Sequence, residues 1–141
     1  MFLGEYEYRV DAKGRVPLPP KYRDRLKDGV VLTTGPESCI VAYSSAEWEK
    51  LAANLPGGPM VPNKMRRLHR AVFASAYALE PDGQGRIALP QLLRDRAGIR
   101  DEIVVAGVNT YFELWNPEQW QAEKAASQEQ TWQTIESLEQ H

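Results

Sequence analysis

DAKGRVPLP, residues 11–19, returns almost unchanged as DGQGRIALP, residues 82–90. In each copy an Asp opens a short polar run, Gly holds the fourth position and Arg follows it. Apolar residues then alternate up to a Pro. The Asp side chain can accept a hydrogen bond from the backbone N–H two residues on, and Gly takes positive φ at no steric cost. The phrase predicts a type I turn with a bulge that joins two strands as a hairpin.

Outward from the turn the likeness continues. A shift of 71 lays Phe2 on Phe73, Tyr6 on Tyr77, Asp11 on Asp82 and Arg15 on Arg86. The same shift lays Arg23, Asp24 and Arg25 on Arg94, Asp95 and Arg96. One inserted residue makes the shift 72, and Val31 then meets Ile103, Tyr43 meets Trp115 and Trp48 meets Trp120. The chain is two copies of one unit. Each is predicted to run strand, turn, strand, helix, strand, strand, helix.

Local chemistry places the elements. Pro20 and Pro90 suit a helix entry, where a missing N–H costs little, and Gly98 suits a helix end. VVLTTG, CIVAY, IVVAG and YFELW are β-branched and aromatic, as strands require. Ser44-x-x-Glu47 fits a capping box and Asn116-x-x-Gln119 a variant of it. Asn63 is placed as the cap of a helix through KMRRLHRAV. The expected organisation is one unit at 1–51, a Pro/Gly linker with a connecting helix at 52–72, a second unit at 73–123 and an acidic tail at 124–141. Trp132, Ile135 and Leu138 in that tail have helical spacing, which suits either a docking face or a fraying end.

Composition bounds the class. Of 141 residues, 43% are hydrophobic, enough for a packed core. No apolar run reaches bilayer length, and the acidic N-terminus lacks signal-peptide character, so a soluble, intracellular protein is expected. The single Cys39 excludes an internal disulfide framework. A formal charge of −2 argues by itself against nucleic acid, but its distribution does not. Residues 113–141 hold six glutamates against Lys124 alone, a net −5 that leaves the rest of the chain at +3. Within residues 11–27, six Lys and Arg face Asp11 and Asp24, a net +4. A basic body carries an acidic tail.

Catalytic chemistry finds little support. The two histidines are His69, on an Arg-rich helix where a surface role is expected, and the terminal His141. No His/Cys/Asp/Glu set has metal-ligand spacing, and Gly57-Gly58 lacks the lysine of a phosphate loop. The expectation is no enzyme, no metal, no cofactor and no small-molecule substrate. The turn demands Asp11, Gly14, Asp82 and Gly85, but it does not demand Arg15 and Arg86. Those arginines either bridge back to Asp11 and Asp82 or contact phosphate and bases, and the two roles are compatible. A single unit exposes strand edges and buries too little, so the two must pair around a shared barrel-like core.

DAKGRVPLPPKYRDRL and DGQGRIALPQLLRDRAGI, with YFELW before a Trp-bearing helix, resemble the MraZ family over both halves. The resemblance implies a mainly β, α+β fold in which two pseudo-symmetric AbrB/SpoVT-like swapped-hairpin units form one double-split β-barrel-type domain. It implies a bacterial transcriptional regulator, a repressor, of the division and cell-wall gene cluster. Such a protein acts on repeated boxes upstream of its own gene, is cytoplasmic and nucleoid-associated, and forms a ring-shaped homo-oligomer without membrane contact. It places contact with double-stranded DNA on Lys13, Arg15 and Arg86, with Gln84 adding a polar contact and Asp11, Gly14, Asp82 and Gly85 shaping the turns. Two other readings stand beside it. One is an oligomeric scaffold whose arginines are structural, and the other is an AbrB-like antitoxin, although those usually have one unit and a toxin-wrapping tail.

Overall fold

A computed structural model describes residues 1–140. Each half contributes four strands. The first half supplies β1 (Glu5–Arg9), β2 (Arg15–Pro17), β3 (Val30–Thr34) and β4 (Ile40–Ser44). The second supplies β5 (Tyr77–Leu79), β6 (Arg86–Ala88), β7 (Glu102–Val108) and β8 (Tyr111–Trp115). Helices α1 (Arg23–Leu26) and α4 (Gln91–Ala97) follow β2 and β6, with a 3-10 turn at Pro20–Tyr22 before α1. Helices α2 (Ser45–Asn54) and α5 (Pro117–Glu139) follow β4 and β8, and α3 (Asn63–Phe73) joins the halves. The fold is mainly β with helices, as the sequence implied.

The pairing departs from a plain hairpin. Both turns form, but β1 does not continue along β2. It pairs antiparallel with β7 of the other half, Tyr6 opposite Val105, while β5 pairs with β3, Ala78 opposite Val31. The exchange gives a six-stranded sheet in the order β1-β7-β8-β4-β3-β5, symmetric about the β8–β4 junction. Strands β2 and β6 pair with each other as a separate ribbon centred on Val16 opposite Ile87. The swap follows from burial. The sheet is stabilised when each half's outer strand covers an edge that the other half would leave open.

The ribbon and the sheet enclose one core. Val16, Leu18 and Tyr22 meet Ile87, Leu89 and Leu93 there, above Leu32, Ile40, Ile103 and Phe112. Eighteen buried residues build it, nine from each half. A smaller cluster of Cys39, Val41, Val104 and Trp115 lies apart from this core, with Tyr43, Tyr111 and Trp120 packed on it.

The helix signals mostly hold. Ser44 Oγ accepts from the Glu47 N–H at 3.2 Å, and Asn116 Oδ1 accepts from Glu118 and Gln119 N–H at 2.8 and 3.2 Å. Gly98 ends α4 at φ 66°. Asn63 is not a cap: it is the first residue inside α3, Pro62 precedes it, and its Oδ1 accepts from Arg66 instead. The proline ring already fixes the entry angle there. The acidic tail shares one helix with the end of the second unit, since α5 runs unbroken from Pro117 to Glu139. Among the described residues no helix is long and apolar enough to cross a membrane.

Candidate nucleic-acid interface

The two turns are built alike. Asp11 Oδ1 accepts from the backbone N–H of Lys13 and of Arg15 at 2.9 and 2.8 Å. Asp82 Oδ1 does the same for Gln84 and Arg86, both at 2.9 Å. Gly14 and Gly85 sit at φ 76° and 74°, the conformation the turn imposes and L side chains avoid. Both aspartates are held below the usual carboxylate range, first by the Arg15 or Arg86 backbone N–H, against a smaller opposing effect of desolvation.

The second carboxylate oxygen holds the arginine. Arg15 Nε donates to Asp11 Oδ2 at 2.7 Å and Arg86 Nε to Asp82 Oδ2 at 2.9 Å. Both pairs are half-exposed, so their effect on stability is small. Their effect on orientation is larger. Each aspartate takes only Nε, and the two terminal guanidinium nitrogens of each arginine have no partner among the described residues. The bridging role left open by the sequence is therefore present, and it leaves both terminal nitrogens of each arginine without a partner among the described residues.

The ribbon brings the two arginines together. Val16 and Ile87 point into the core, so Arg15, Pro17, Arg86 and Ala88 share the outward face. Arg15 lies opposite Ala88 and Pro17 opposite Arg86. The arginines are thus diagonal neighbours, roughly 7–8 Å apart along the backbone, on either side of the pseudo-twofold. The turns are tied to each other as well: Leu18 N–H donates to Gly85 O and Leu89 N–H to Gly14 O, each at 2.9 Å. Lys13 and Gln84 stand exposed at the two tips. All eight residues singled out from the sequence fall in this one patch.

Two members of the patch were missed. The Arg94 guanidinium covers Gly14, and Arg23 covers Gly85, each reaching the turn of the opposite half. Their signal was present in the repeat, where Arg23 aligns with Arg94, but which turn each would meet depends on the strand exchange. Two further expectations need correction. His69 is half-buried, with its ring packed 5.2 Å from Phe73, rather than on the surface. The fold also groups Glu37, Cys39 and Glu113 with ligand atoms within 4.8 Å, which spacing could not reveal. Two of the three are joined by a hydrogen bond: Glu113 accepts from Cys39 Sγ at 3.7 Å, and also from Trp115 Nε1 at 3.1 Å. Burial pushes the Cys39 thiol far above its ordinary pKa, with Glu113 adding to the shift, so the sulfur stays protonated. His141 lies outside the described residues.

A family model described as "MraZ protein, putative antitoxin-like" matches this chain twice, over residues 1–70 and 72–139. The chain belongs to the MraZ family. Its relatives include a protein of Dehalococcoides mccartyi named transcriptional regulator MraZ, 54% identical over all of both chains. Proteins of the same name from Roseiflexus castenholzii and Acetivibrio thermocellus are each 43% identical, over 86% of this chain and 85% of theirs. The two matches of the MraZ model meet at α3, between the two copies found in the sequence.

Proposed function

We propose that this chain is a sequence-specific DNA-binding transcriptional regulator that represses through its two Asp-x-x-Gly-Arg turns. The observation that carries the reading is the way Asp11 and Asp82 hold Arg15 and Arg86 by Nε alone on one outward face. A guanidinium presented in that way offers both terminal nitrogens to a phosphate or a guanine edge. A two-stranded ribbon fits a major groove about 12 Å wide, and two arginines roughly 7–8 Å apart fit within it. Lys13 and Gln84 add contacts at the tips. The names of the relatives, transcriptional regulator MraZ, support a regulatory role. The resemblance extends the reading to repeated boxes upstream of the gene itself, at the head of a division and cell-wall cluster. It also extends it to a ring-shaped homo-oligomer at the nucleoid.

The test is fluorescence anisotropy with the DNA upstream of the gene and an unrelated duplex, at two salt concentrations. Wild type is expected to prefer its own upstream DNA and to weaken steeply with salt. Arg15→Ala and Arg86→Ala are each expected to remove that preference while the chain stays folded. The scaffold reading draws on the same ion pairs, since an arginine bonded to its own turn has a structural use. Wild-type binding without preference, or alanine variants that bind as wild type does, would decide for it.

A further inference from the structure

We propose that Arg23 is a phosphate-contacting residue of the second turn, supplied by the first half of the chain. The proposal rests on the DNA-binding reading above. It starts from a difference between the turns: the first carries Lys13 at its tip and the second Gln84, so the second lacks a tip cation.

Arg23 covers Gly85, the residue next to that tip. A methyl group on Gly85 would lie 2.6 Å from Arg23 Nε and 2.8 Å from its Cζ. Nε donates to Leu18 O at 3.2 Å, which fixes the stem. Both terminal nitrogens are without a partner among the described residues, Arg23 makes no ion pair there, and the residue is exposed. The second turn therefore presents two guanidinium forks, Arg86 and Arg23, each anchored by its Nε.

The counterpart on the first turn is restrained. Arg94 lies over Gly14, its Cζ 3.0 Å from where a methyl would stand, and it is half-buried. Its Nη2 donates to Gln91 Oε1 at 2.6 Å, and Gln91 in turn donates to Asp95 at 2.7 Å. Its Nε is shut off from solvent and has no partner among the described residues. Arg94 packs a turn that already has Lys13, whereas Arg23 is free above a turn that has none. Arg94 aside, each turn carries one guanidinium held by its own aspartate, Arg15 or Arg86, and one exposed cation, Lys13 on the first and Arg23 on the second.

The experiment is a double-mutant cycle read by DNA anisotropy across a salt series, with circular dichroism to verify folding. Arg23→Ala is expected to weaken specific and unrelated duplexes alike, and to lower the slope of log K against log salt by about 0.9. Arg23→Lys is expected to restore the slope. Arg23→Gln keeps the stem and serves if the alanine variant unfolds. Arg23 is expected to depart from additivity with Arg86 by more than roughly twofold, and to add simply with Arg15. A wild-type slope in folded Arg23 variants, or coupling to Arg15 instead of Arg86, overturns this proposal alone. Wild-type protein without salt-dependent DNA affinity overturns the DNA reading and this proposal with it.

Discussion

Asp11 divides its carboxylate, one oxygen for two backbone N–H groups and the other for the Arg15 side chain. Those bonds favour the charged form and depress the pKa in the folded state. A depressed carboxylate stabilises the fold above its unfolded pKa, and the contribution is lost as pH falls through the folded value. The Tm gap between wild type and Asp11→Asn/Asp82→Asn is therefore expected to close on acidification through the carboxylate range. A gap that stays constant from neutral to acid would show that the carboxylate charge contributes nothing. Gly14→Ala tests the backbone in the same turn. At φ 76° a Cβ is strained, and the Arg94 guanidinium stands 3.0 Å from it. A loss of about 1–2 kcal/mol in denaturant unfolding is expected. An unchanged midpoint would mean that the turn relaxes freely. At this scale the sequence was legible, because an Asp and a Gly act on neighbours within five residues. The arginine over each glycine was not, because it arrives from the other half.

Among the elements, a cap can be read locally and a pairing partner cannot. Ser44 and Asn116 identify their helices by bonds to the next few residues. Asn116→Ala is expected to cost about 1 kcal/mol, since it removes the α5 cap and leaves Gly98 O without its 2.7 Å donor. Unchanged thermal stability would indicate that water replaces both bonds. The strand EYEYR looks the same in sequence whether it pairs with β2 or with β7. What selects β7 is the edge of a sheet that exists only after both halves fold. The tail shows the same limit. Composition separated it from the unit before it, whereas α5 continues through both. Beyond Lys124, which bonds Glu5 at 2.9 Å, the helix is exposed on all sides, including Trp132 and Leu138. Removal of residues 125–141 is expected to shift Tm by less than about 3 °C. It should also raise affinity for unrelated DNA several-fold, because three glutamates leave a chain that must approach phosphate. Unchanged affinity for unrelated DNA would remove the tail from the electrostatics of binding.

For the whole molecule, the strand exchange makes the two halves obligate partners. An isolated first half would retain only nine of the eighteen core residues, with no β7 for β1 and no β6 for β2. Conformational entropy near 1–2 kcal/mol per residue would still have to be met by half the burial. Pseudo-symmetry leaves one escape: a second copy of residues 1–72 can offer β3 where β7 stood and β2 where β6 stood. Folding of the isolated half is therefore expected to require association. Its circular dichroism melting should rise in temperature with protein concentration, as mass action demands, while that of the full chain should not. Mixing residues 1–72 with 73–141 should give a species more stable than either alone, because the native pairs Tyr6–Val105 and Ala78–Val31 are then available. A half that melts cooperatively as a monomer, at one temperature across a hundredfold dilution, would mean that the exchange is incidental to stability. Arg15 and Arg86 would then sit on separable modules, and nothing would fix their spacing across the twofold. If the exchange is obligatory, the same hydrogen bonds that close the core set the distance between the two arginines.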